Sequence, residues 1–278
     1  MLAIRTMTPT DAPVVLALSE QAGWNQGKAD WQRFLAMEPE GCFVAETNGE
    51  PVGTTVTCVF GGVAWIGMVL VDPRARRRGV ATGLMKHALA YLEGRGVQTV
   101  RLDATETGRL VYEGLSFVTE FSLTRYQGTA PPAGENAQVV SATPDMYDEL
   151  IAFDARAAGA NREKMLTRLF STSPCGTRVL NRRGQLEGFI TTRSGVHALQ
   201  IGPCIASPSA GAILLSDMLN RCAGQPVILD VPCQNTTATR VTESLGFKAQ
   251  RHFIRMYRGC APTGDASALW ASSGPEKG

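Results

Sequence analysis

Histidine is scarce in this chain: three in 278 residues, at positions 87, 197 and 252. That argues against a zinc centre, and so does the lack of any Cys-x-x-Cys pair among seven cysteines (42, 58, 175, 204, 222, 233 and 260). An odd number of widely spread thiols also argues against a disulfide framework and suits a reducing compartment, so a cytoplasmic location is expected. Charge of one sign is missing too. The formal net charge of +2 is too small for a chain built to bind nucleic acid. No apolar run approaches the length that crosses a bilayer, and the opening MLAIRTMTPTDAP lacks the apolar core of a signal peptide. No metal, nucleic-acid or membrane partner is expected. What is present, 44% apolar and 19% charged residues, is the composition of an ordinary globular protein, and the length favours two domains.

The stretch VLVDPRARRRGVATGLM, residues 69–85, organises the rest. An apolar β-type run ends at Asp72-Pro73, a basic turn delivers Gly79, and a helix starts at about Val80. Backbone N–H groups converge at such a helix start, its dipole is positive, and glycine allows close approach, so the junction is suited to hold an anion. Arg74 to Arg78 could also be a solvated turn or a nucleic-acid contact, and a solvated turn is the commoner meaning of an isolated arginine run; the strand–helix junction reverses that preference.

The surrounding pattern gives the element order. Residues 2–7 read as a strand. Thr8 to Asp11 supply capping residues for a helix that Gly23 ends, and Gly23-Trp24-Asn25 is a turn. Residues 29–37 read as a second helix. Residues 42–47 and 51–60 are strands joined by Asn48-Gly49, a strong hairpin signal, and 64–71 is the next strand. Residues 80–92 carry Val80, Leu84, Ala88, Leu89 and Leu92 at helical spacing. A strand (99–104), a short helix (108–114) and a last strand near 120–126 follow.

Arg76-x-x-Gly79-x-Ala81, placed after Val71-Asp72-Pro73, resembles the pyrophosphate-binding signature of the GNAT superfamily of N-acetyltransferases. The element order matches that family, and Tyr112-Glu113-Gly114-Leu115-Ser116-Phe117 resembles its Tyr-Glu-x-Leu-Gly-Phe block, with Ser116 departing from glycine. The resemblance implies an α/β (α+β) fold, a mixed and mostly antiparallel twisted sheet flanked by helices.

The second half repeats the first. Thr8-Pro9 recurs as Thr143-Pro144, Ile66-Gly67 with Pro73 as Ile201-Gly202 with Pro208, Leu102-Asp103 as Leu229-Asp230, and Leu115-x-Phe117 as Leu245-Gly246-Phe247. Two tandem domains of one fold are therefore expected: 1–126 catalytic, a Pro/Gly-rich linker at 127–138, a degenerate copy at 139–258, and a tail at 259–278. Where the first half has PRARRRGVATGLM the second has PSAGAILLSDML, shorter and without arginine, and Thr242 stands opposite Tyr112. Leu269-Trp270 predicts that part of the tail docks.

The resemblance implies acetyl-coenzyme A as co-substrate and an amine as acceptor. Its pyrophosphate would lie on the N–H groups of Arg76, Arg77, Arg78, Gly79, Val80, Ala81 and Thr82, and its pantetheine arm beside Val69, Leu70 and Val71. The N–H of Leu70, or of Val69, would stabilise the oxyanion, and Tyr112 would protonate the leaving thiolate. Trp24, Asn25 and Asp103 are candidates to meet the acceptor. Each has a structural reading beside it: Trp24 as cover for the core edge, Asp103 as a structural carboxylate, since Asp230 recurs in the degenerate half. Glu106 and Asp72 are weaker candidates, and the general base is unassigned. A small-molecule amine acceptor is expected, with a coenzyme-binding sensor or scaffold, or a protein acetyltransferase, as alternatives.

Overall fold

The computed structural model describes residues 1–132, 136–173 and 175–278. Residues 133–135 of the expected linker lie outside the described set. The first half runs β1 (Leu2–Thr6), α1 (Ala12–Gln21), α2 (Lys28–Met37), β2 (Cys42–Thr47), β3 (Glu50–Phe60), β4 (Val63–Val71), α3 (Val80–Gly94), β5 (Thr99–Ala104), α4 (Glu106–Glu113) and β6 (Val118–Thr129). The second repeats that order: β7 (Val139–Ser141), α5 (Tyr147–Ala158), α6 (Glu163–Thr172), β8 (Arg178–Arg182), β9 (Gln185–Arg193), β10 (Leu199–Ala206), α7 (Gly211–Arg221), β11 (Pro226–Pro232), α8 (Thr236–Ser244) and β12 (Lys248–Gly259). A short β13 (Leu269–Ala271) follows.

Local chemistry explains the joints. The β2–β3 hairpin turns through Asn48 and Gly49, both at positive φ, and β8–β9 turns the same way through Arg183 and Gly184. Asp11 accepts the backbone N–H of Thr8 at 2.8 Å and binds Arg5 through both oxygens, which fixes the entry to α1.

The strands form one sheet in the order β1-β2-β3-β4-β5-β12-β6-β11-β10-β9-β8-β7. Most pairs are antiparallel; β4–β5 and β10–β11 are parallel. The halves exchange their last strands. β12, from the second half, lies beside β5 of the first, and β6, from the first, lies beside β11 of the second. β6 runs on through 127–129, the start of the expected linker, because those residues pair with β11 and β12.

The helices sort onto two faces. On one, α3 packs Val80, Leu84, Ala88 and Leu92 against Ile66 and Leu102, and α7 packs its own copy against Ile201 and Leu229. On the other, α1, α2, α5 and α6 share a single core in which Trp31 and Phe34 of the first half meet Leu166, Leu169 and Phe189 of the second. Burying each such side chain stabilises the fold by about 1.5–3 kcal/mol, so this core ties the halves together. Leu269 and Trp270 are buried, as their apolar character predicts. Among the described residues no helix is long and apolar enough to cross a membrane.

Candidate active site

β4 begins in register with β5, pairing Val63 to Trp65 with Thr99 to Arg101, and then departs from it. The cause is a bulge. The β3–β4 register shifts between Thr54 and Val56, and Met68 adopts φ +52°. Two β3 hydroxyls fasten it: Thr54 Oγ1 donates to the Met68 carbonyl at 2.9 Å and Thr55 Oγ1 to that of Gly67 at 3.2 Å. From Ile66 onward, through Val69, Leu70 and Val71, the β4 edge toward β5 has no ladder partner among the described residues. An extended molecule with amide groups can add there as a strand would.

That edge leads into the basic loop. Asp72 caps Arg74, accepting its N–H at 2.8 Å and its guanidinium at 2.8–3.0 Å, so Arg74 is already occupied. Arg76 reaches back to the Val71 carbonyl at 3.1 Å. Arg77 and Gly79 take left-handed φ values of +61° and +78°. At Gly79 that conformation costs nothing sterically and turns the chain directly into α3. Val80, Ala81 and Thr82 form the first turn, whose N–H groups have no carbonyl four residues back within the helix. Arg76, Arg77 and Arg78 are exposed and make no ion pair among the described residues. The result is a solvent-facing cradle of positive charge and free donors, suited to a pyrophosphate.

Tyr112 sits near the end of α4, edge-on to Phe117 at 6.1 Å between centroids. Its hydroxyl has no hydrogen-bond partner among the described residues. Burial pushes the phenol up to about 12, so it stays protonated at neutral pH.

The three acceptor candidates are placed differently. Trp24 packs half-buried against the shared core. Asn25 clasps the other half: its Oδ1 accepts from the N–H groups of His197 and Ala198 at 2.9 and 3.1 Å, and its Nδ2 donates to the Ala198 carbonyl at 2.9 Å. Asp103 has both oxygens taken by Arg255 of β12, at 2.7 and 2.9 Å. Sequence reading did not single out Arg255. Its one signal was an arginine between Ile254 and Met256 in a chain in which Asp103 recurs as Asp230.

The second half has the same splay, and it is filled. β10 pairs with β11 only over Leu199 to Ile201. Beyond that point β13 runs antiparallel to β10, and Ser272 bridges to Asp230 on β11. Trp270 then lies against Gly211, the first residue of α7, so closely that a Cβ there would be 2.0 Å from the indole. The chain's own strand occupies the slot that stays open beside β4. A separate cavity of about 440 Å³ opens at the far end of β11, lined by Asn25, Arg125, His197, Lys248 and Arg251. Among the described residues no group of three or more His, Cys, Asp or Glu is placed to hold a metal ion.

The chain is similar to known proteins along both halves. The acetyltransferase (GNAT) family profile matches residues 13–113, and an acetyltransferase (GNAT) domain profile matches residues 150–271. The holothin acyltransferase of Pseudoalteromonas sp. (strain SANK 73390) is 27% identical over 264 residues, covering 92% of this chain and 87% of that protein. An acetyltransferase of Pectobacterium atrosepticum is 31% identical over 123 residues, covering 42% of this chain and 87% of its own length. A crystallised Pyrococcus horikoshii protein assigned as an acetyltransferase superposes with a TM-score of 0.85 at 25% identity, covering 100% of this chain and 96% of that one. The chain belongs to the GNAT family of acetyltransferases and carries two of its domains in tandem.

Proposed function

We propose that the first half transfers the acetyl group of acetyl-coenzyme A to the amine of a small molecule, by direct attack in a ternary complex. One observation carries this reading: β4 keeps an open edge leading into an exposed arginine–glycine helix start, whereas the equivalent slot beside β10 is filled by β13. The pyrophosphate would lie on the N–H groups of residues 76–82 and the pantetheine arm along residues 69–71. The N–H of Val69, at the bulge, would hold the developing oxyanion, a contribution of about 3 kcal/mol in comparable acyl-transfer sites. Leu70, the other candidate, is paired with Thr54 in the ladder position whose N–H faces β3, not the open edge.

Tyr112 is the proton donor to the leaving thiolate in this scheme. With the phenol at about 12 and a thiol near its reference of roughly 8.5, the transfer is uphill by about 5 kcal/mol. That lies well below the ~16 kcal/mol barrier of an enzyme turning over about ten times per second. Asp103, held by Arg255, serves better as a structural carboxylate than as a base. The core shared by α1, α2, α5 and α6, with the clasp of Asn25 on residues 197–198, supports a small amine over a protein chain, because the second half covers the helices that would flank the acceptor. The relative named for holothin supports a discrete acceptor compound. A cytoplasmic site of action is part of the reading, supported by the seven free cysteines.

A coenzyme-binding sensor with little turnover is the second reading, because the loop alone serves both. An acetyl-coenzyme A-dependent thiol-release screen over an amine library separates them. Amine-dependent release supports transfer; no amine raising release above hydrolysis would favour the sensor.

A further inference from the structure

The acceptor side of β4 is occupied. Beyond Ser272 the chain folds back onto the sheet face that carries α1 and α2, where Glu276 and Gly278 lie over β4 just before its bulge. A Cβ at Gly67 would sit 2.6 Å from Glu276 Cα, so this close approach needs glycine, and Gly278 lies equally tight against the Trp65 ring. Glu276 and Lys277 are fully buried. The Glu276 carboxylate accepts from Gln26 Nε2 at 3.0 Å, pairs with Arg193 at 3.4 Å and is bonded by the neighbouring Lys277. Arg162, itself held by Asp154, donates to the carbonyls of Lys277 and Gly278.

This seat is polar, and its occupant fits it incompletely. Arg193 Nε and Trp65 Nε1 are buried donors with no acceptor among the described residues. A well-packed core leaves few such orphans. Without residues 272–278, Arg33 and Arg193 would share Asp30, while Arg162 would keep Asp154. Glu276 and Lys277 would leave together, so one positive charge among these groups is uncompensated with the segment or without it, in a wall beside the strand that carries the candidate oxyanion donor. A buried guanidinium of this kind calls for an anion.

We infer that this seat is the acceptor chamber and that Gln26 and Arg193 form a carboxylate subsite within it, filled here by Glu276 in place of an amine that also carries a carboxylate. The inference rests on the transfer reading above for the word acceptor, and on the seat itself for the ligand class. Residues 272–278 then compete with the acceptor, which must displace them to reach the splay.

The test is calorimetric titration of the full-length chain, without acetyl-coenzyme A, using 4-aminobutyrate and 6-aminohexanoate against butylamine and hexylamine. Glu276→Ala is expected to bind at least one amino acid about tenfold more tightly than the unaltered chain, with no gain for the alkylamines. Adding Arg193→Gln is expected to abolish the gain. Unchanged amino-acid affinity in folded Glu276→Ala, or an equal gain for the alkylamines, would overturn the proposal. If Glu276→Ala does not fold, Glu276→Gln is read instead, since it keeps the shape and loses the charge. Binding without turnover would sink the transfer reading and leave the chamber; turnover indifferent to Glu276 would do the reverse.

Discussion

Arg255 of β12 and Asp103 of β5 face each other across adjacent strands, joined by two hydrogen bonds of 2.7 and 2.9 Å and almost wholly buried. The partner relationship runs the other way between Arg125 of β6 and Asp230 of β11, at 2.7 and 2.8 Å. Each half supplies the arginine that neutralises the other half's aspartate. The strand exchange is therefore locked by charge as well as by backbone pairing.

Breaking one lock should be costly. Arg255→Ala leaves the Asp103 carboxylate buried and unpaired, and is expected to destabilise the chain by about 3–5 kcal/mol. Replacing both partners by apolar residues of similar volume should cost much less. Because β12 pairs with strands of both halves, urea unfolding followed by fluorescence and by circular dichroism should show one shared transition. Two separate transitions would mean that the halves fold independently.

Tyr112→Phe removes only a hydroxyl that bonds nothing else among the described residues, so the fold should be unaffected. Turnover should fall by about 10²-fold or more, the usual contribution of a positioned acid, while affinity for coenzyme A stays near normal. Unchanged turnover would remove Tyr112 from the chemistry.

Arg5 and Asp11 give a pH-dependent contribution to stability. The hydrogen bond from the Arg5 guanidinium, aided by Thr8, holds the Asp11 carboxyl down at about 2, against 3.8 unfolded. The folded value is the lower, so the contribution is complete above about pH 4 and is lost as pH falls toward 2. Arg5 is partly exposed, which limits the effect to about 1 kcal/mol. Asp11→Asn should flatten the acid limb of a thermal-melt series between pH 5 and 2; an unchanged limb would show that the pair contributes nothing.

The elements and the anion loop were legible because they rest on local rules: Asn48-Gly49 makes its hairpin, the 80–92 periodicity makes α3, and Gly79 turns the chain into it. The internal repeat announced two copies of one fold. The exchange of β6 and β12 was not legible, since both strands read alike and nothing local says which neighbour each pairs with. Asn25 shows the same limit. It lies in a turn that sequence marks as available for an acceptor, yet its side chain is spent on the 197–198 backbone. Residues 272–278 carry glycine, proline and charge, the composition of an exposed tail, and only tertiary packing shows them buried. Leu269-Trp270 was the readable exception, being apolar.

Coenzyme binding by the first half alone is tested most directly by titrating acetyl-coenzyme A into the full-length chain and into Arg76→Ala, Arg77→Ala and Arg78→Ala variants. One site per chain is expected, weakened about tenfold or more wherever a charge-assisted contact to the pyrophosphate is lost. Two sites per chain, or affinity untouched in all three variants, would contradict it.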